Sequence, residues 1–137
     1  YAASNTDKLL VLVGQGPLEQ EYRVLVEELN LTHKVIFAGF HANPYPLIKQ
    51  ADLLVLSSDF EGLGMVLLEA LALHTPAISS DCRSGPSEIL PEENLFPPRD
   101  IDRLAALLSI PDYSIYAVDF PQQFSAHNIA ERYLNVL

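Results

Sequence analysis

The sequence predicts an α/β fold, a parallel sheet with helices on both faces. Three observations carry that expectation. Short apolar runs recur along the chain, each followed by a segment whose apolar residues return at three- and four-residue spacing. The runs are nearly continuous in apolar residues rather than alternating, as in strands covered on both faces. Glycine or proline closes most of them. Strands that alternate with helices imply parallel pairing, because a parallel connection needs a crossover long enough to hold a helix.

Lys8–Val13 is the first apolar run and ends at Gly14, as expected for a strand buried on both faces. Pro17 stands where a helix can start, and Leu18, Tyr22, Leu25, Val26 and Leu29 give Pro17–Leu29 its apolar stripe. Val35–Ala38 is the second strand, closed by Gly39. A loop with Pro44 and Pro46 leads to a short helix near Pro46–Gln50. Asp52–Ser57 is the third strand, and Gly62–Gly64 opens an apolar helix over Met65–His74. Pro76–Ser80 is the fourth strand, Ser87–Leu90 a helical turn, and Leu95–Phe96 a small last strand. Ile101–Leu108 and Asn128–Val136 read as closing helices. Open sheets of this kind bind ligands beyond the carboxyl ends of their strands. The loops that leave those ends are Gly14–Pro17, Gly39–Tyr45 and Ser58–Gly64.

Length and composition limit what such a domain can do. The chain has 137 residues, 49% of them hydrophobic and 19% charged, enough for one domain with a buried core. Its net charge of −10 argues against nucleic acid as a partner, since Lys and Arg against phosphate supply most of that affinity. The same charge argues against a polybasic membrane anchor. No apolar run approaches the ~20 residues of a membrane helix. Cys82 is the only cysteine, so no internal disulfide can form and the setting reads as reducing. The start at Tyr1, without Met and almost within a strand, reads as a cut inside a longer protein.

Glu69 is hard to explain as packing. It lies in a helix that is apolar nearly all round, where an unpaired carboxylate costs several kcal/mol by the order of magnitude for buried charges. Either it sits on a narrow exposed stripe or bonds the backbone, or it accepts hydrogen bonds from ligand hydroxyls. Glu61 stands eight positions earlier, before Gly62–Leu63–Gly64. Glycines at a strand-to-helix junction let the backbone approach a ligand, and the first amides of the helix are free donors at the positive end of its dipole. Together they suit a phosphate-sized anion, although the same residues would also make an ordinary turn.

Gly14–Gln15–Gly16–Pro17 offers a similar junction, but Glu19 occupies the place of the third glycine of a dinucleotide fingerprint, so a tight turn is the better reading. His33, His41, His74 and His127 show no metal-ligand spacing, and no Gly-x-Ser-x-Gly elbow is present. No metal and no cofactor are expected.

The order of motifs resembles one family. It runs Gly14–Gln15–Gly16–Pro17 after a strand, Val35–Ile36–Phe37–Ala38–Gly39, Ala51–Asp52–Leu53–Leu54–Val55–Leu56–Ser57–Ser58, then Glu61–Gly62–Leu63–Gly64 with Glu69–Ala70. Pro76–Ala77–Ile78–Ser79–Ser80–Asp81–Cys82 and Gly85–Pro86–Ser87–Glu88–Ile89–Leu90 complete it. This resembles the carboxy-terminal, donor-binding domain of retaining glycosyltransferases of family 4, a Rossmann-like half of the two-domain GT-B fold, lacking its first strand-helix unit. Glu61 and Glu69 meet the family's signature of two glutamates with seven residues between them.

The resemblance implies roles for matching positions. Glu61 would contact donor-sugar hydroxyls, and amides from Gly62 through Leu63, Gly64 and Met65 to Val66 would hold the distal phosphate and sugar. Glu69 would accept from the ribose hydroxyls. The base would lie against Gly39–Phe40–His41, and Gly14 and Gly16 would line the same cleft. The donor would be a nucleoside-diphosphate hexose, with a UDP-sugar favoured, and the acceptor a glycan or lipid-linked sugar held by an absent amino-terminal domain. The Ser–Asp–Cys–Arg–Ser–Gly–Pro stretch (80–86) is most similar to bacterial members that build surface polysaccharide or lipopolysaccharide. A cytoplasmic protein is implied, reaching the inner face of the membrane only through the absent domain.

Two departures stand out. His74 occupies a position where the family usually has glycine, and it reads as a helix-end residue rather than a catalytic one. The Arg and Lys that neutralise the diphosphate in the family come from an upstream strand and helix, whereas no Lys or Arg precedes Lys8. Residues 1–137 are therefore expected to be inactive alone. A nucleotide-sugar epimerase of the same fold and a non-enzymatic α/β interaction module are the alternatives; the module lacks the paired acidic residues after its first strand.

Overall fold

The structure, a computed structural model, describes residues 1–4 and 6–135. Its elements run β1 (Leu10–Val13), α1 (Glu19–Glu28), β2 (Val35–Gly39), α2 (Tyr45–Gln50), β3 (Leu54–Leu56), α3 (Met65–Ala72), β4 (Ala77–Ser80), α4 (Pro86–Ile89), β5 (Leu95–Phe96), α5 (Ile101–Leu108) and α6 (Ala126–Leu134). Short 3-10 turns lie at Glu92–Asn94, Tyr113–Tyr116 and Gln122–Phe124. Each expected strand and helix is present, and every strand pairing is parallel. The expected end of the last helix at Val136 lies outside the described residues, as does part of the 1–137 span. The chain divides into two compact units, Tyr1–Pro46 with Asp100–Pro111, and Leu47–Arg99 with the segment from Asp112 onward.

In the first unit β1 pairs with β2, setting Leu10 beside Val35, Val11 beside Ile36 and Leu12 beside Phe37, with an irregularity before Val13 meets Gly39. The Arg23 guanidinium of α1 stands 4.2 Å from the centroid of the Phe37 ring, so α1 lies over that face. Glu19 holds Arg23 one turn away at 2.7 Å. The other face stays open. Val11 is 44% and Val13 46% exposed, with Ile36 and Leu9 beside them. The expectation that Lys8–Val13 is a strand buried on both faces is thus corrected. The strand is Leu10–Val13 and its exposure alternates, with Val11 and Val13 on the exposed positions.

In the second unit β3, β4 and β5 form one ladder in that order. All four residues of β4 are buried, the continuous apolar-and-small strand that two covered faces produce. Leu67, Leu68, Ala70 and Leu71 of α3 pack with Ala77, Ile48, Ile89 and Leu90 to form the core. Two polar side chains lock it. Buried Asn94 donates to the carbonyls of Ala77 (2.8 Å) and Tyr116 (2.9 Å), and Thr75 Oγ1 donates to the carbonyl of Ile48 at 2.9 Å.

α3 ends in a backbone closure. The His74 amide donates to Leu71 and the Thr75 amide to Ala70, while His74 takes a left-handed φ of 59°. This is the Schellman arrangement, whose turning residue is usually glycine. His74 therefore closes the helix through its backbone, in a conformation that strains an L residue.

Candidate functional site

The loop after β3 carries most of the expected site residues and is braced from several sides. Ser80 Oγ of β4 donates to the Ser58 carbonyl at 2.5 Å, and Ser58 Oγ donates to Glu61 Oε1 at 2.6 Å. The Glu61 carboxylate is thereby oriented by a strand-end hydroxyl, half-buried and with acceptor capacity to spare. Gly85 supplies a further brace. A Cβ there would fall 2.7 Å from the Leu63 carbonyl carbon and oxygen, so only glycine lets these two backbones meet.

Gly64 turns the loop into α3 with φ 73° and carries no side chain to cap the helix. The first turn of α3 has no acidic residue, so no carboxylate within it competes for the helix-start amides. The loop Glu61–Gly62–Leu63–Gly64 and the helix start Met65–Val66 thus present an anion-compatible end, which Glu61 precedes in the chain.

Glu69 differs from expectation in its surroundings. Met65, Glu69 and Ala72 follow one another at helical spacing; Met65 and Ala72 are exposed and Glu69 half-buried. α3 is not apolar and buried all round. It has an open stripe running back from its N-terminus, on which Glu69 is half-buried. Its position on the stripe that begins at Met65 is compatible with a ligand seated along that face.

The remaining expected residues lie in the first unit. The Gly14 amide donates to the Gly39 carbonyl at 2.8 Å, which brings the Gly14–Gln15–Gly16 turn beside the Gly39–Phe40–His41 segment. A side-chain carbon on Gly14, Gly16 or Gly39 would meet nothing within 4 Å, and Phe40 is 69% exposed with His41 exposed beside it. Among the described residues no three His, Cys, Asp or Glu side chains cluster as a metal site requires.

Two residues near the loop escaped the sequence. Arg99 Nε reaches both carboxylate oxygens of Asp59, at 3.0 and 3.1 Å, and its Nη2 reaches Oδ2 at 2.7 Å. These hydrogen bonds hold the Asp59 carboxyl below the usual carboxylate range. A separation of 40 residues leaves no local pattern that could announce this pair.

Comparison with known proteins bears on the fold and the family. The profile described as Glycosyl transferases group 1 matches residues 2–110. The lipopolysaccharide 1,6-galactosyltransferase of Escherichia coli (strain K12) is 36% identical over 107 residues, 73% of this chain and 30% of that protein. The apo structure of the lipopolysaccharide outer core galactosyltransferase WaaB superposes with a TM-score of 0.82 at 26% identity, covering 99% of this chain and 43% of that one. Anabaena Alr3699/HepE in complex with UDP and glucose superposes with a TM-score of 0.77 at 26% identity, covering 99% and 42%. The chain spans less than a third of the length of the curated relatives it matches.

A parallel α/β chain whose third strand passes through a glycine turn into a bare helix start has the fold of the GT-B glycosyltransferases. Within that class, the chain belongs to the glycosyl transferases group 1 family.

Proposed function

We propose that this chain is the donor-binding domain of a retaining glycosyltransferase of family 4. The whole protein would transfer a hexose from a UDP-sugar to a glycan or lipid-linked acceptor in bacterial surface polysaccharide or lipopolysaccharide synthesis, without a metal. The observation that carries this reading is the loop from Ser58 to α3. It sets an oriented carboxylate, Glu61, ahead of a helix start with no side-chain cap.

Glu61 orients the donor sugar, and the amides of Gly62–Val66 stabilise negative charge as it gathers on the leaving diphosphate. Glu69, on the open stripe of the same helix, accepts from the ribose hydroxyls. Gly39–Phe40–His41 receives the base, with Gly14 and Gly16 beside it. The E. coli relative's name as a lipopolysaccharide galactosyltransferase and the UDP and glucose bound to HepE favour this donor and pathway class.

The open sheet face of the first unit favours a chain that is one domain of a longer enzyme. Leu9, Val11, Val13 and Ile36 form an uncovered apolar surface on a parallel pair, where parallel strands are ordinarily covered. A preceding strand-helix unit of the same polypeptide would cover it and bring the Arg and Lys that neutralise the diphosphate. The described residues contain no helix long and apolar enough to cross a membrane.

Calorimetric titration of the complete enzyme with UDP, UDP-glucose and GDP tests the donor class. Glu69→Ala is expected to weaken UDP binding about tenfold, the scale of one lost charge-assisted hydrogen bond. An unchanged affinity removes the ribose role. NMR of the product's anomeric proton tests retention, and product formation without acceptor would turn the assignment toward an epimerase.

A further inference from the structure

We propose that Asp59 and Arg99 form a positioning tie, which holds the Glu61 loop in the geometry that sugar transfer requires. The inference rests on the reading of Glu61 as the donor-sugar contact.

Arg99 has a backbone φ of 63°, in the left-handed region that favours glycine. It is strained there, and burial does not compensate: its side chain is 80% exposed and that of Asp59 56%. What Arg99 gains is a forked contact with Asp59, both carboxylate oxygens engaged at 2.7 to 3.1 Å. Forked Arg–carboxylate geometry is the kind of exposed pair that fixes direction as well as distance. It joins the segment after β5 to the loop after β3.

The stretch it joins has little else to fix it. Phe60 is 74% exposed, and a Cβ on Gly62 would meet nothing within 4 Å, so packing defines neither of the residues that flank Glu61. Ser58 is anchored by Ser80, and Leu63 by the close backbone of Gly85. Between those anchors the Ser58–Glu61 hydrogen bond sets the rotamer of Glu61, and the Asp59 fork sets the path of the backbone that carries it. The pair therefore acts on conformation at the site more than on the stability of the fold.

Arg99→Gly separates the two roles, because glycine relieves the left-handed strain while it removes the fork. In the complete enzyme, Arg99→Gly and Asp59→Asn are expected to lower kcat for sugar transfer about tenfold or more, the scale of small misplacements at a reacting centre. UDP affinity should stay within about twofold, because Glu69 and the helix start are untouched. The melting temperature of Arg99→Gly should not fall. Backbone 15N order parameters at Phe60–Gly62 should fall in both variants, and Arg99→Lys, which keeps the charge without the fork, should recover only part of the rate. Unchanged kcat, unchanged order parameters, or a loss of kcat matched by loss of stability overturns the tie. If the parent enzyme binds no nucleotide sugar, the donor-domain reading fails instead, and the order parameters still decide whether the fork orders the loop.

Discussion

The two units hold parallel strands of similar composition in opposite conditions. In the second, β4 is buried on both faces, and α3 contributes four buried residues. In the first, α1 buries no residue at all and one face of β1–β2 stands open. The difference teaches where this chain keeps its stability. The second unit is a finished core that supports the Ser58–Gly64 loop. The first buries Val35 of β2 and Ala105, Leu107 and Leu108 of α5, yet leaves apolar surface over on α1 and on one face of its ladder.

Substitutions can break or sharpen that contrast. Leu71→Ala, at 1% exposure in the second unit, is expected to cost about 2–5 kcal/mol, through lost burial and the cavity left behind. Val11→Ala, on the open face of the first unit, should cost under about 1 kcal/mol, as exposed positions do. Urea unfolding of both variants measures the contrast, and equal losses would mean that the open face is covered in solution. Next in size, Asn94→Ala leaves two buried carbonyls without their donor and should cost about 1–3 kcal/mol in the same assay. Smallest and opposite in sign, His74→Gly should stabilise by about 0.5–1 kcal/mol, because glycine holds the left-handed turn at the end of α3 without strain. Differential scanning calorimetry reads that gain as a rise in Tm.

The alternation of strands and helices was legible because each apolar run was bounded by turn residues and each helix showed its period. Glu61, Gly62–Val66 and Glu69 were legible as a group because all lie within nine residues, across one strand-to-helix turn. The open face around Val11 and Val13 was not. An apolar run reports that a strand can be covered, and says nothing about what covers it. For Glu69 the sequence left an exposed stripe and a ligand contact both open, and the stripe that begins with Met65 is compatible with either. The 3-10 turns at Tyr113–Tyr116 and Gln122–Phe124 were missed because three or four residues carry no period. The Asp59–Arg99 fork and the Gly85–Leu63 approach join segments far apart in the chain, and only the folded backbone brings them together.

The open face also gives the net charge of −10 a colloidal meaning. A row of apolar side chains on an open sheet face is adhesive, and two copies of residues 1–137 taken alone would present it to one another on collision. Mutual repulsion between acidic surfaces keeps those collisions brief. At physiological salt that repulsion reaches only about 8 Å, close to the thickness of the side-chain layer itself. The acidity is therefore a short-range buffer between sticky surfaces, and ionic strength is the variable that thins it.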